Sequence, residues 1–265
     1  MPTIAARDPS EPHQHRHMAE SFGADPERYD RARPRYPDAL VDRIVAGSPG
    51  PRVLDVGLGT GIAARQFRAA GCRVVGVEVD ARMAEFARRD GFDIEVSAFE
   101  TWDPAGRAFD AVIAAQTWHW IDPVAGAAKA AEVLPPGGRL AVFWNVVQPP
   151  PDLADAFAAV HRRVVPELPM LAKPVKDGYS VLLGKASHGI RAAGAFGEPE
   201  EWRFEWERRY TRDEWLDSVP TSGGYSRFPQ DTKDELLAGL GAAIDEAGGA
   251  FTAGYTTVAL TTVRT

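Results

Sequence analysis

VLDVGLGTGIAARQF, residues Val53–Phe67, is the stretch around which the rest of the chain is arranged. A short apolar run, Val53–Val56, leads into the glycine loop Gly57–Gly61, and a helical pattern follows. Glycine gives the backbone access to positive φ and lets a ligand come close to the main chain. The start of the helix adds unpaired N–H groups and the positive end of a dipole. Strand, glycine loop and helix in this order predict a nucleotide-binding corner.

Strand and helix patterns alternate along the chain on either side of this corner. The further strands predicted from apolar runs are Arg73–Val79, Asp93–Val96, Phe109–Ala115 and Arg139–Trp144, followed by the alternating segment Glu201–Tyr210 and the last strand Tyr255–Val263. Helices are predicted between most of them, for example Ala81–Asp90. This alternation predicts an α/β fold with a doubly wound, Rossmann-like sheet, mostly parallel with one antiparallel strand near the C-terminus, plus a helical cap.

The length of 265 residues favours one α/β domain with an added cap or lid. The predicted parts are a flexible N-terminal tail (1–22) and a single domain (23–265), made of an arm over the cofactor (23–37), a cofactor-binding core (38–146), a cap insertion (147–200) and C-terminal strands and a helix that complete the sheet (201–265). His13, His15 and His17 alternate and could bind a metal if extended. A mobile, solvated terminus is the favoured interpretation, and no metal site is predicted.

Composition excludes several classes of function. The net charge is −7, and no cluster of Lys and Arg stands out, which argues against a nucleic-acid partner. Cys72 is the only cysteine, so no disulfide framework exists. No apolar run reaches the roughly 18 residues that a membrane span needs, and no signal-peptide pattern opens the chain. These features predict a soluble, cytoplasmic protein with no membrane partner.

The glycine loop departs from the dinucleotide pattern G-x-G-x-x-G. Its third glycine would fall at position 62, which is Ile62. Asp55 ends the first strand, where a carboxylate would oppose a pyrophosphate but suits the α-amino group of a methionine moiety, directly or through water. Glu78 ends the second strand, where a carboxylate can accept both ribose hydroxyls. The structural alternative for Glu78 is a surface residue that caps the next helix.

With these features the sequence resembles class I S-adenosylmethionine-dependent methyltransferases from about Phe22 to Asn145. The family's first three motifs correspond to Asp55–Gly61, to Gly76–Asp80 with Met83, and to Ala98-Phe99-Glu100. The resemblance implies S-adenosyl-L-methionine as cofactor and Val79 and Met83 as contacts of its adenine. Ala98 lacks the polar side chain that often meets the adenine amino group, so the Phe99 N–H and Glu100 are the candidates there. The cofactor-binding residues implied by the motifs are Asp55, Gly57, Gly59, Gly61, Glu78, Val79, Met83, Phe99 and Glu100.

Two further segments are similar to a subgroup that includes trans-aconitate-type small-molecule methyltransferases. They are Tyr29–Pro37 and Ala115–Trp120. In that subgroup the arm folds over the cofactor, which makes Tyr29 and Arg33 candidates for its carboxylate. Gln116 is a candidate for its methionine part.

The predicted chemistry is an in-line displacement of an activated leaving group, for which positioning and exclusion of water supply most of the rate. His119 is the candidate general base if the acceptor must lose a proton, and a structural hydrogen-bonding role is its alternative. The candidate substrate-binding residues are Tyr36, Trp118, Trp120 and Tyr225. The predicted function is methylation of a small-molecule acceptor. The alternatives are a catalytically silent binding or scaffold protein and, more distantly, a nicotinamide dehydrogenase. The acceptor atom and the oligomeric state are not predicted.

Overall fold

The structure is a computed structural model that describes residues 22–166, 175–223, 225 and 228–265. The predicted tail, 1–21, and its alternating histidines lie outside the described residues. Phe22, the last residue of the predicted tail, begins a short 3₁₀ turn and contributes to the wall of the cavity described below.

A seven-stranded sheet forms the centre of the described chain, in the order β3-β2-β1-β4-β5-β7-β6. The strands are β1 (Arg52–Val56), β2 (Arg73–Glu78), β3 (Asp93–Val96), β4 (Ala111–Ala115), β5 (Arg139–Gln148), β6 (Glu200–Thr211) and β7 (Ala250–Val263). β1 to β5 pair in parallel, whereas β7 runs antiparallel to both β5 and β6. The predicted fold class, with one antiparallel strand near the C-terminus, is confirmed.

Helices cover both faces of this sheet. They are α1 (Pro26–Ala32), α2 (Asp38–Ala46), α3 (Ile62–Ala69), α4 (Ala81–Arg89), α5 (Pro123–Val133), α6 (Pro151–Val164), α7 (Val175–Ala193), α8 (Arg212–Ser218) and α9 (Gln230–Glu246). Residues next to the first turn of a helix account for where several of these helices begin. The Asp122 carboxylate accepts from the N–H groups of Val124 and Ala125 in α5, with Pro123 in the first turn, and Thr211 and Glu214 form a capping box at the start of α8.

The C-terminal strands are longer than predicted. β5 continues past Trp144 to Gln148, and its last residue pairs with Gly254 of β7. Asn145 does not break the strand because its buried amide is satisfied: Thr257 donates to its Oδ1 at 2.6 Å, and its Nδ2 donates to the carbonyl of Arg35 at 3.1 Å. β5, β6 and β7 therefore extend beyond the other strands, and α6, α8 and α9 pack against this extension.

The segment 147–200, predicted as a cap, contains two helices with different neighbours. α6 packs against α9, with Phe157 in a separate aromatic core. α7 packs against α5, and its Leu183, Ala186 and Ile190 belong to the main core beside the sheet. The division of the chain into arm, core, cap and C-terminal part stays a prediction.

Candidate active site

A cavity of about 300 Å³ opens at the carboxyl ends of β1, β2 and β4, beneath α1 and the segment that follows it. This edge of an open α/β sheet is where such folds bind ligands. The predicted site residues that line the cavity are Tyr29, Arg33, Tyr36, Gly57, Gly59, Glu78, Val79, Met83, Phe99, Glu100, Gln116, His119 and Trp120. Asp55, Gly61, Trp118 and Tyr225 do not line it.

The glycine loop has the conformation that requires glycine. Gly57, Gly59 and Gly61 all have positive φ, of 69°, 60° and 91°. A Cβ on Gly57 would lie 2.1 Å from Cγ2 of Thr117, so the loop after β4 can approach only because the side chain is absent. Gly61 is the N-cap of α3, and a Cβ there would face Phe92, away from the cavity.

Glu78 links the glycine loop to the end of β2. Its Oε2 accepts from the N–H of Gly59 at 2.8 Å, and its Oε1 accepts from the N–H of Asp80 at 2.9 Å. Burial raises the pKa of this carboxyl, and the backbone donors oppose that rise. The side chain is buried and still lines the cavity, so its remaining lone pairs face a ligand site.

Asp55 lies behind the loop and has no exposed surface. Neither carboxylate oxygen has a hydrogen-bond partner among the described residues. Burial, and then the charge of Glu78, raise its pKa to about 8. This position does not support direct contact with a ligand and leaves only the indirect route through water.

The cavity wall also contains the residues predicted to contact adenine. Val79, Met83 and Phe99 supply apolar wall. The Glu100 carboxylate accepts from the N–H of Asp122 at 3.0 Å, which connects the third motif to the start of α5.

The arm is a short helix, α1, followed by an extended segment. α1 is tied to the C-terminal part by Asp217, whose carboxylate pairs with Arg28 at 2.8 Å and with Arg31 at 2.9 Å. Arg33 stands 5.2 Å from the ring centroid of Tyr29 and donates to the carbonyl of Thr221. The arm thus spans the cavity from one side to the other.

His119 occupies a 3₁₀ turn after β4, Trp118–Trp120. Its Nδ1 accepts a hydrogen bond from Nε1 of Trp144 at 3.2 Å. Burial lowers the pKa of the imidazole to about 4, so the ring is neutral at pH 7. A ring of such low basicity, whose Nδ1 already accepts a hydrogen bond, favours the hydrogen-bonding alternative over the predicted general base.

Two predicted substrate contacts lie in cores instead of on the cavity wall. Trp118 is 2% exposed and packs in the main core near Phe99, with ring centroids 6.5 Å apart. Tyr225 packs in the aromatic core around α9 and donates to the carbonyl of Lys233 at 3.2 Å. Nε1 of Trp118 is buried without a hydrogen-bond partner among the described residues, whereas the hydroxyl of Tyr225 has one. Both rings lie in cores and neither lines the cavity, which corrects the predicted contacts.

The cavity wall also contains residues that the sequence did not predict as site residues. They are Phe22, Pro34, Ile62, Ser97, Thr117, Ile121, Asn145, Tyr179, Ser222 and Gly223, together with the β-strand residues Val56 and Val77. Tyr179 belongs to α7, which no motif connects to the site, and burial raises the pKa of its hydroxyl. Gln116 was predicted, but its φ of +58° was not. Such a backbone is uncommon in a non-glycine residue, and the other case among the described residues, Ala105, lies outside the cavity.

Comparison with known proteins decides the family. A family model described as a methyltransferase domain matches residues 29–246. The chain belongs to this methyltransferase family. The predicted membership among class I methyltransferases is confirmed at that level, and S-adenosyl-L-methionine is the cofactor that membership implies. The trans-aconitate-type subgroup stays a prediction.

Relatives and solved structures agree with this placement. An uncharacterized methyltransferase of Mycobacterium tuberculosis is 36% identical over 133 residues, which cover 49% of this chain and 54% of the relative. A malonyl-[acyl-carrier protein] O-methyltransferase of Enterobacter lignolyticus is 32% identical over 140 residues, 52% of this chain and 55% of the relative. The chain spans about half the length of these curated relatives.

A structure from Anaeromyxobacter dehalogenans, described as a type II methyltransferase, superposes with a TM-score of 0.59 at 23% identity, over 87% of this chain and 97% of that one. This likeness shows the shared fold. Within the described ranges, no helix is long and apolar enough to cross a membrane.

Proposed function

We propose that the protein is an S-adenosylmethionine-dependent methyltransferase that methylates a small-molecule acceptor. The observation that carries the proposal is the cavity at the ends of β1, β2 and β4. There the glycine loop holds Glu78, and residues of the arm line the same cavity. Family membership supports the reaction, and the cavity supports the size of the acceptor.

The residues present fit the cofactor. Glu78 would accept the ribose hydroxyls, because its backbone partners leave further lone pairs on both oxygens. Val79 and Met83 would pack against adenine, and Tyr29 and Arg33 would meet the carboxylate. Arg33 suits this role because its Nε is buried without a hydrogen-bond partner among the described residues. When bound, the cofactor supplies a methyl group on a sulfonium, which is already an activated leaving group.

The chain's own contribution is positioning and the exclusion of water. α1 and the C-terminal loop around Ser222 and Gly223 wall the cavity on the side away from the sheet. Gln116 donates through Nε2 to the carbonyl of Asn145 at 3.2 Å. This bond connects the segment after β4 to β5 at the cavity wall. A site fixed in this way holds the two reacting molecules in line, which supplies much of the rate of a displacement.

The small size of the cavity supports a small acceptor. At about 300 Å³ the cavity is at the lower end of the range of small-molecule sites, which favours a compact acceptor over a bulky one. The net charge of −7 offers no general attraction for a nucleic acid. The alternative of a catalytically silent binding protein predicts cofactor binding without methyl transfer to any acceptor.

Calorimetry of the purified chain with S-adenosylmethionine and S-adenosylhomocysteine tests the cofactor. We expect saturable binding of both, and no binding at millimolar ligand would overturn the proposal. Transfer of a labelled methyl group to a panel of small acids, phenols, thiols and amines then tests the reaction. Binding with no transfer to any of them would favour the silent alternative.

A further inference from the structure

The ring of His119 is placed between a buried tryptophan and the cavity. The indole N–H of Trp144 donates to Nδ1 of His119 at 3.2 Å. An indole nitrogen can only donate, so Nδ1 must be the acceptor and cannot carry a proton in this arrangement. The single proton of a neutral imidazole is therefore on Nε2.

The environment of Trp144 makes this constraint firm. Its side chain is 1% exposed and belongs to the main core beside the sheet. A buried N–H that lost its partner would have no water to replace it. The indole thus holds Nδ1 in the accepting state.

The other ring nitrogen is available to the cavity. His119 lines the cavity wall, and its Nε2 has no hydrogen-bond partner in the part of the chain that the structure describes. Burial alone accounts for the lowered pKa of the ring. The ionisable side chains that share the wall are Tyr29, Arg33, Tyr36, Glu78, Glu100 and Tyr179.

We infer that Trp144 fixes the tautomer of His119, so that His119 presents an Nε2–H donor to the methyl acceptor instead of acting as a general base. The inference rests on the proposed function, because it assigns this part of the cavity to the acceptor. His119 touches the acceptor, and Trp144 is a positioning residue that acts through it. The acceptor then carries an oxygen or nitrogen lone pair that receives this hydrogen bond, and it gives no proton to the ring.

A fixed donor and a general base differ in a property that can be measured, which is the protonation of Nε2. A general base needs a free lone pair on the nitrogen that faces the substrate. With the proton on Nε2, that lone pair is absent, and proton uptake at Nδ1 would break the bond to the indole. A fixed donor instead orients the acceptor toward the reacting carbon, which is the contribution a displacement reaction needs.

Nitrogen-15 NMR of the full chain, labelled at histidine and saturated with S-adenosylhomocysteine at pH 7, tests the inference directly. The His119 signals are identified by their loss in His119→Gln. We expect a protonated Nε2 and an unprotonated Nδ1 in the wild type. A protonated Nδ1, or a doubly protonated ring, would overturn the inference even if no Trp144 variant folds.

Two indole deletions separate the role of Trp144 from a general loss of packing. Trp144→Phe should move His119 toward a mixture of tautomers. Trp206→Phe removes another indole hydrogen bond, to Oγ1 of Thr257 at 2.8 Å, and should leave the His119 signals unchanged. An unchanged tautomer in Trp144→Phe would show that Trp144 does not set it. Calorimetry on the same sample tests the proposed function separately, since the tautomer is read without methyl transfer.

Discussion

The backbone N–H of Gly59 donates to Oε2 of Glu78 at 2.8 Å, across 19 positions of the chain. This bond joins the glycine loop after β1 to the end of β2, so one carboxylate both fixes the loop and faces the cavity. A second bond, from the N–H of Asp80, holds its other oxygen at 2.9 Å. The ligand site and the loop geometry are therefore coupled through Glu78.

Substitution of Glu78 tests this coupling. We expect Glu78→Ala to weaken S-adenosylmethionine binding by roughly tenfold or more, because about 1.4 kcal/mol corresponds to a factor of ten and at least one charged hydrogen bond is lost. Glu78→Gln keeps the shape and one oxygen, so its loss should be smaller. Calorimetry measures both, with exposed Glu85→Ala on α4 as the control. Unaltered affinity in Glu78→Ala would contradict the ribose assignment.

The parts of the fold that the sequence predicted are those with local causes. The helix predicted over Ala81–Asp90 is present as α4, Ala81–Arg89, and the neighbouring Asp80 sets its start, since the Asp80 carboxylate accepts from the N–H of Arg82. The glycine loop is equally local. These features need no knowledge of distant parts of the chain.

The parts that could not be predicted depend on distant contacts. The predicted fifth strand ends at Trp144, and only the bond of Asn145 to Thr257, 112 positions away, shows why β5 continues. Tyr179 reaches the cavity because α7 packs against α5, which no periodicity reveals. The sequence predicts Trp118 as a substrate contact, but tertiary packing places its side chain in the main core.

The raised pKa of Asp55 predicts a specific pH dependence of the free energy of unfolding. Its pKa is raised from the ordinary 3.8 to about 8, so between these values the folded chain holds a proton that the unfolded chain has lost. The stabilisation relative to the unfolded state is fully present below pH 4 and is lost as the pH rises toward 8, by up to about 1.4 kcal/mol per pH unit. Asp55→Asn removes this contribution.

Urea denaturation at pH 5, 6, 7 and 8 measures that difference. The free energy of unfolding of the wild type should fall relative to that of Asp55→Asn as the pH rises. The exposed Asp42→Asn on α2 serves as control and should show no such trend. A constant difference between wild type and Asp55→Asn would refute the raised pKa.

The ion pairs of Asp217 predict that its substitution changes the dynamics of the arm but has little effect on global stability. Its removal leaves Arg28 and Arg31 without their shared carboxylate, while each of these partly exposed pairs contributes less than about 1 kcal/mol. We expect Asp217→Ala to speed amide hydrogen exchange in α1 and to weaken cofactor binding by roughly threefold. Asp213→Ala, on the same helix and with a side chain 92% exposed, is the matched control. Equal exchange in the two variants would show that Asp217 does not hold the arm.

Replacements of His119 distinguish a donor from a base in the reaction itself. The side-chain amide of glutamine can place an N–H near the position of Nε2 but cannot take up a proton. For any acceptor that the panel identifies, we expect His119→Ala to lower transfer by about tenfold and His119→Gln by no more than about threefold. Because the pKa of the ring is about 4, the wild-type rate should show no His119 inflection between pH 6 and 8. A glutamine variant as slow as the alanine variant would instead indicate a base.

Two glycines with similar backbones isolate the effect of the close approach at the loop. Gly57 and Gly71 have φ of +69° and +89°, so alanine at either position adds strain of roughly 1 kcal/mol. Only at Gly57 does the added Cβ meet Thr117, at 2.1 Å, whereas nothing lies within 4 Å at Gly71.

Gly71→Ala should therefore lower the free energy of unfolding by about 1 kcal/mol and leave cofactor affinity unchanged. Gly57→Ala should cost more and weaken S-adenosylmethionine binding by roughly tenfold, because the loop must move away from the strand after which Gln116 and Thr117 lie. Equal stability losses with unaltered binding in both variants would show that the contact between Gly57 and Thr117 does not shape the site.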